Sequence, residues 1–208
     1  NTHIPTYPEV DELWVKKWFE LLDQYQIEPA EYGHWIDSRL YRDHELSVKE
    51  SLHMLERDIK IAHQLGFKVM RTKMGVIDDV NTPVTNWREI IREALPIAKE
   101  YDVKMCPELH MPTALKSKYV DDYVEFIEKE NTKNFGFNVD FGTFQNVFES
   151  DFRLPGMPED GGPCSRPEDI IPILPYVYCC HAKFINMNDE FEETTIPYKE
   201  IIELLKEH

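Results

Sequence analysis

Apolar residues along the chain recur at two spacings, one typical of helices and one typical of buried strands. Helical spacing predicts helices over residues 13–25, 47–65, 86–101, 119–130, 170–174 and 198–207. Shorter apolar runs between them predict strands over residues 27–35, 67–74, 103–109, 135–140 and 176–184. Strands that alternate with helices favour a parallel sheet with right-handed crossovers. An open doubly wound sheet and part of a (β/α)₈ barrel both fit this order.

Helix limits are marked by capping residues. Ser47 with Glu50 three residues on predicts a capping-box start, and Gly66 predicts the end of that helix. Asn86 opens the next helix, in which Pro96 must cause a kink or remove a hydrogen bond.

Side-chain parity separates two faces of each predicted strand. Residues 135, 137 and 139 are large and apolar, whereas Gly136, Asn138 and Asp140 share the opposite face. The same polar face is predicted to carry Lys104, Cys106, Glu108 and His110 on one strand, and Cys179, His181 and Lys183 on another. Small and polar residues in strand after strand suit a barrel interior, and no glycine-rich dinucleotide or P-loop motif follows any strand.

Three polar residues close successive predicted strands: Glu108, Asp140 and His181. In parallel α/β sheets and barrels, chemistry is done at this carboxyl end of the strands. Two carboxylates and an imidazole brought together there form a ligand set suited to Mn²⁺, Zn²⁺ or a similar ion.

Composition narrows the function classes. The 208 residues predict a single domain over residues 1–208, and a net charge of −16 argues against nucleic acid as a partner. The four cysteines are poorly placed for disulfides, because two are adjacent in one predicted strand and a third lies in another, so we expect reduced, buried thiols in a cytoplasmic protein. No apolar run is long enough to span a membrane. Because the chain opens at Asn1 and stops inside a helical pattern, we expect it to be part of a longer polypeptide.

A Pro- and Gly-rich connection between residues 149 and 167 exceeds the usual loop length of about 4–6 residues. It follows the strand that ends at Asp140, so it leaves from the same end as the proposed metal. We expect this loop to be a lid; a plain linker is the alternative.

Three motifs, Glu-Leu-His-Met-Pro (108–112), Asn-Val-Asp-Phe-Gly-Thr (138–143) and His-Ala-Lys-Phe (181–184), together resemble the xylose-isomerase-like TIM barrels. This superfamily includes sugar phosphate isomerases/epimerases, inosose dehydratases, the metal-dependent subunit of C-glycoside deglycosidases and the endonuclease IV enzymes. The resemblance implies a (β/α)₈ barrel of which this chain holds the third to seventh strands. The first two strands and the last would then be absent, and other residues or another subunit would have to cover the sheet edges.

The resemblance also implies a ligand set. Glu108, Asp140 and His181 match the first three metal ligands of the family, and the fourth, a Glu, normally comes from the eighth strand. The implied cofactor is a divalent ion, foremost Mn²⁺, with Zn²⁺, Mg²⁺ and Co²⁺ as alternatives. Thr143 stands where the sugar epimerases often carry a His, which puts that substrate contact in doubt.

Catalytic roles are assigned to groups that share a face with the ligands. His110 and Glu108 are candidate bases, and Lys183 is a candidate for holding a substrate oxygen or neutralising an enolate. His34 and Lys73 lie near strand ends and are weaker substrate-binding candidates. Phe141 is a candidate apolar wall for a sugar ring. The competing interpretations are a structural salt bridge for Glu108, a solvated side chain for Lys183, and packing for His110 and Phe141.

The leading hypothesis is a metal-dependent sugar isomerase or epimerase that abstracts a proton beside a carbonyl. One alternative is a lyase acting on oxidised (3-oxo) C- or O-glycosides, which the Glu-x-His-x-Pro motif favours. Another is a non-catalytic barrel subunit, and an endonuclease is disfavoured by the acidic charge. The expected partners are a small sugar or glycoside and further subunits, in a homo- or hetero-oligomer, without nucleic acid or membrane.

Overall fold

The computed structural model describes residues 3–36, 46–74, 83–145, 162 and 164–207, and the side chains of residues 34–36 and 73–74 lie outside that description. The helices are α1 (Glu12–Tyr25), α2 (Val48–Gln64), α3 (Trp87–Glu100), α4 (Lys118–Glu130) and α5 (Tyr198–Glu207). The strands are β1 (Tyr32–Ile36), β2 (Val69–Met74), β3 (Lys104–Cys106), β4 (Glu108–Leu109), β5 (Phe137–Asp140) and β6 (Val177–His181). Among the described residues, 3₁₀ helices cover Phe141–Phe144 and Pro167–Tyr176.

All paired strands are parallel, in the orders β1-β2-β3 and β4-β5-β6. The predicted α/β fold with a parallel sheet is therefore confirmed. Strands β3 and β4 form one predicted strand that is interrupted at Pro107, which has no backbone N–H to donate. The carbonyl of Pro107 still accepts a hydrogen bond from the Asn138 amide at 3.1 Å. The strands thus follow one another in chain order across five positions, where a complete barrel has eight.

Helix limits follow the sequence cues closely. The capping box of Ser47 and Glu50 forms at the start of α2, and Gly66 follows that helix with a φ of +85°, which favours glycine. Asp11 caps α1 by accepting from the Trp14 amide at 2.9 Å. Asn86 precedes α3 without capping it through its side chain. Pro96 lies inside α3, where it removes one intrahelical hydrogen bond without ending the helix.

Strand limits differ from the predictions in places. Residues 27–31 were predicted to begin the first strand, but β1 starts at Tyr32 and Ile27 is 58% exposed. Pro29 explains the difference, because it cannot donate to a strand ladder.

The predicted lid lies mostly outside the described residues. The four thiols are free as expected, but only Cys106 is buried.

The hydrophobic core lies between the helices and the outward face of the strands. Phe135 is completely buried, and its ring packs against Phe126, Tyr123 and Trp87 with centroid distances of 5.6, 5.9 and 6.2 Å. Because side chains alternate along a strand, Asn138 and Asp140 point to the other face. Within the described part of the chain, no helix combines the length and apolar character needed to cross a membrane.

Candidate metal centre

Glu108, Asp140 and His181 come together at the carboxyl ends of neighbouring strands. Strand pairing sets Glu108 opposite Asn138 and Asp140 opposite His181. One ligand atom from each of the three residues lies within 4.8 Å of the other two. In the part of the chain that the structure describes, this is the group of acidic, His and Cys side chains that could hold a metal ion.

Glu108 is held between the imidazole of His181 and the guanidinium of Arg71. Its Oε1 lies 2.8 Å from His181 Nδ1, and its Oε2 accepts from Arg71 Nη1 at 3.2 Å. Burial would raise the pKa of Glu108, but the charges of His110 and Arg71 and the hydrogen bond from His181 outweigh it, so the pKa is lowered. Glu108 is therefore ionised at neutral pH, as a ligand or a base must be.

Asp140 is the buried member of the group. Its Oδ1 accepts from the Gly142 amide at 2.7 Å, and its Oδ2 lies 3.4 Å from Lys183 Nζ. A Cβ atom on Gly142 would lie only 2.8 Å from that Oδ1, so a glycine allows the backbone to approach. The turn after β5 thereby fixes the carboxylate.

Glu31 joins the site, although no sequence pattern singled it out. It precedes β1, and its Oε2 lies 2.6 Å from His181 Nε2, while its Oε1 accepts from Asn138 Nδ2 at 2.8 Å. Burial raises the pKa of Glu31 despite the lowering effect of His181. Burial alone would lower the pKa of His181, but the hydrogen bonds and charges of Glu31 and Glu108 raise it.

The donor set fits a divalent cation. Two carboxylates and an imidazole suit Mn²⁺, Zn²⁺ and related ions. Each of the three has a partner of complementary character: Glu108 contacts the Arg71 guanidinium, Asp140 contacts the Lys183 ammonium, and the His181 ring lies between the carboxylates of Glu31 and Glu108. These contacts compensate the buried charges, and an ion at the centre would compensate the same carboxylates.

His110 follows β4 and influences the same site. Its charge contributes to lowering the pKa of Glu108. His110 Nδ1 lies 2.6 Å from the Met111 carbonyl oxygen, which accepts only. When the ring is neutral, this contact therefore keeps its proton on Nδ1.

The remaining predicted residues divide into three groups. Lys183 reaches the site through Asp140. Phe141 does not: it is 2% exposed, and its ring packs on Tyr198 at 5.5 Å. The predicted sugar-stacking role conflicts with this burial, because the turn into the 3₁₀ helix directs the ring into the core. The side chains of His34, near the end of β1, and Lys73, near the end of β2, lie outside the described residues.

Thr143 uses its hydroxyl for hydrogen bonds within the protein. Its Oγ1 donates to the Thr113 carbonyl at 3.1 Å, lies 3.2 Å from Ser165 Oγ, and is completely buried. The position at which sugar epimerases often carry a His is thus occupied by a structural hydroxyl.

A family model described as "Xylose isomerase-like TIM barrel" matches residues 2–208. Among curated proteins, the chain is 23% identical to a C-glycoside deglycosidase alpha subunit from Arthrobacter globiformis, over 95% of this chain and 67% of the relative. It is 24% identical to a 3'-dehydrocarminate deglycosidase alpha subunit from Microbacterium sp, over 67% of this chain and 37% of the relative.

Solved structures share the fold. A xylose isomerase domain protein from Planctomyces limnophilus superposes with a TM-score of 0.60 at 15% identity, over 98% of this chain and 75% of that chain. A 3-keto-D-glucoside 4-epimerase from E. coli superposes with a TM-score of 0.58 at 14% identity, over 96% of this chain and 76% of that chain. At these identities the likeness shows the fold alone.

Proposed function

The chain belongs to the xylose isomerase-like TIM barrel family, and from this premise we propose that it is a divalent-metal-dependent carbohydrate enzyme that abstracts a proton beside a carbonyl. The observation that carries the proposal is the convergence of Glu108, Asp140 and His181 within 4.8 Å at the carboxyl end of the strands. A second premise is the group of cationic and basic side chains around them, Arg71, His110 and Lys183.

Glu108, Asp140 and His181 would hold the ion, with Mn²⁺ the leading candidate and Zn²⁺, Mg²⁺ and Co²⁺ as alternatives. When bound, such an ion supplies Lewis-acid stabilisation of the oxygen charge that develops on a sugar carbonyl. His110 or Glu108 takes the proton from the neighbouring carbon. Lys183 offers a positive charge to a substrate oxygen.

The leading reaction is isomerisation or epimerisation, in which the abstracted proton is returned to the substrate. The second candidate is elimination from an oxidised (3-oxo) C- or O-glycoside, in which the group β to the carbanion leaves with the bonding electrons. Both reactions begin with the same proton abstraction. Two observations keep the elimination as a candidate beside the leading reaction. The buried Thr143 hydroxyl stands where epimerases often carry an imidazole, and the curated relatives are deglycosidase subunits.

A multi-subunit assembly is part of the proposal. The two curated relatives described above are alpha subunits, so we propose that a second subunit, of the same or another chain, accompanies this one. The substrate is a small sugar or glycoside, because the net charge of −16 opposes nucleic acid.

The test combines metal analysis with deuterium exchange. The purified chain, depleted of metal and reloaded with Mn²⁺, is incubated in D₂O with ketohexoses and with 3-oxo glucosides. Deuterium in a rearranged sugar supports an epimerase or isomerase, whereas release of the aglycone supports the lyase. A chain that binds no divalent ion and catalyses neither reaction would leave the non-catalytic subunit as the remaining hypothesis.

A further inference from the structure

We propose that Glu31 is a positioning residue for the metal centre: it holds the His181 ring by its Nε2–H, so that Nδ1 faces the ion. The inference rests on the proposed metal-dependent function and names a residue outside the proposed ligand set. Glu31 precedes β1 and contacts His181, which lies 150 residues further along the chain.

The two ring nitrogens of His181 face different neighbours. Nδ1 lies 2.8 Å from Oε1 of Glu108, which belongs to the candidate ligand set. Nε2 lies 2.6 Å from Oε2 of Glu31, which does not belong to that set. Nδ1 is therefore the nitrogen that faces the ion, and Nε2 is the one that faces Glu31.

Glu31 cannot be a further ligand of the same ion in this arrangement. The two nitrogens of an imidazole point away from each other, so a group bonded to Nε2 lies behind the ring as seen from an ion at Nδ1. An ionised carboxylate accepts hydrogen bonds only, so without an ion the ring donates through Nε2 to Glu31 and through Nδ1 to Glu108. An ion bound to Nδ1 would displace the proton there, whereas the contact with Glu31 would keep the one on Nε2. A neutral histidine with its proton on Nε2 presents the lone pair of Nδ1, which is the form that binds a metal.

Glu31 is itself held in place. Its second oxygen, Oε1, accepts from Asn138 Nδ2 at 2.8 Å. Asn138 Nδ2 and His181 Nε2 lie 2.8 Å apart, and because both are donors each directs its N–H to a different oxygen of Glu31. Asn138 is completely buried and shares its strand face with Asp140, two residues on. The Glu31 side chain is itself only 12% exposed. Glu31, Asn138 and His181 form one connected group behind the ligands.

The experiment measures metal affinity as well as activity. Glu31→Gln keeps the shape and an acceptor oxygen but loses the charge, and Glu31→Ala removes the acceptor. Titration with Co²⁺, followed by its visible absorption, should give a dissociation constant raised by about 10- to 100-fold, with Ala more affected than Gln. Glu28→Gln, at an exposed position three residues earlier, is the matched control and should bind as wild type.

A purely structural role predicts a different result. In that case the Glu31 variants would melt earlier but, where still folded, bind Co²⁺ with the wild-type dissociation constant, and the inference would be wrong. A long-range ¹H–¹⁵N spectrum of the Zn²⁺-loaded chain adds an independent readout. The His181 ring, assigned with His181→Asn, should show a protonated Nε2 in wild type and a mixture of ring forms in Glu31→Ala.

The two proposals fail separately. If wild type binds Co²⁺ only when Asp140 is intact, and the Glu31 variants bind equally well, the metal site stands and the role of Glu31 is refuted. If wild type itself binds no divalent ion, the proposed function and the role of Glu31 are both overturned.

Discussion

The two faces of β5 and the residues that flank it differ in almost every property. On the outer face, Phe135 and Phe137 are completely buried among aromatic rings of α3 and α4. On the inner face, Asn138 and Asp140 contact charged groups from distant parts of the chain. Alternation along one short strand thus separates a surface that stabilises the fold from one that carries chemistry. Substitutions on the two faces should therefore affect different measurements.

The largest effect is expected from Asp140→Asn. The amide oxygen can still accept from the Gly142 amide, so the turn after β5 should be retained, whereas the ligand charge is lost. We expect the divalent ion to be lost and turnover to fall by about 10³-fold or more, because Lewis-acid stabilisation supplies several kcal/mol. Elemental analysis and kinetics would measure this, with metal-depleted wild type as the stability control. Retention of a full metal complement would exclude Asp140 as a ligand.

Phe135→Ala should have the opposite profile. Removing a completely buried ring leaves a cavity, which should lower the free energy of unfolding by about 3–5 kcal/mol in urea denaturation. Phe135→Leu, which preserves more of the volume, should cost less than half as much. Metal affinity of the folded fraction should not change in either variant. A shift in that affinity would show that the two faces are coupled.

His110→Ala tests a group beside the ligands. If His110 transfers the proton, kcat should fall by about 10²-fold while metal content stays at the wild-type level. His53→Ala, at an exposed position on α2, provides the control and should leave both quantities unchanged. Loss of metal in His110→Ala would make His110 a ligand, and undiminished turnover would assign it to packing.

The smallest expected effect is on stability and concerns Glu193. This residue lies in the connection that follows β6, at the carboxyl end of the strands where the candidate metal centre lies. Although burial raises its pKa, hydrogen bonds from Thr195, Ile185 and Asn186 dominate and lower the pKa to about 2. Its stabilising contribution should therefore be present above the ordinary Glu pKa near 4.5 and decline as the pH falls towards 2.

Urea denaturation of wild type and Glu193→Gln at several pH values would measure this contribution. The difference, about 1 kcal/mol or less at pH 7, should shrink below pH 4.5. Glu190→Gln, at an exposed position nearby, should show no such pH-dependent difference. A difference that grows as the pH falls would contradict the assigned sign.

Local sequence features determined much of this protein. The capping box at Ser47, the turn glycine at position 66 and the alternating residues of β5 act within a few positions, so periodicity and propensity were sufficient to predict them. The positions of Glu108, Asp140 and His181 followed from one further rule, that parallel strands end at the same edge of a sheet.

Tertiary structure decided what depended on distant partners or exact side-chain direction. Glu31 meets His181 across 150 positions, and Arg71 meets Glu108 across 37; no local pattern encodes such contacts. Phe141 follows Asp140 directly, yet the turn of the backbone buries its ring in the core. Spacing along the chain specifies the face of a strand on which a residue lies, but only the packed arrangement of strands brings particular faces together.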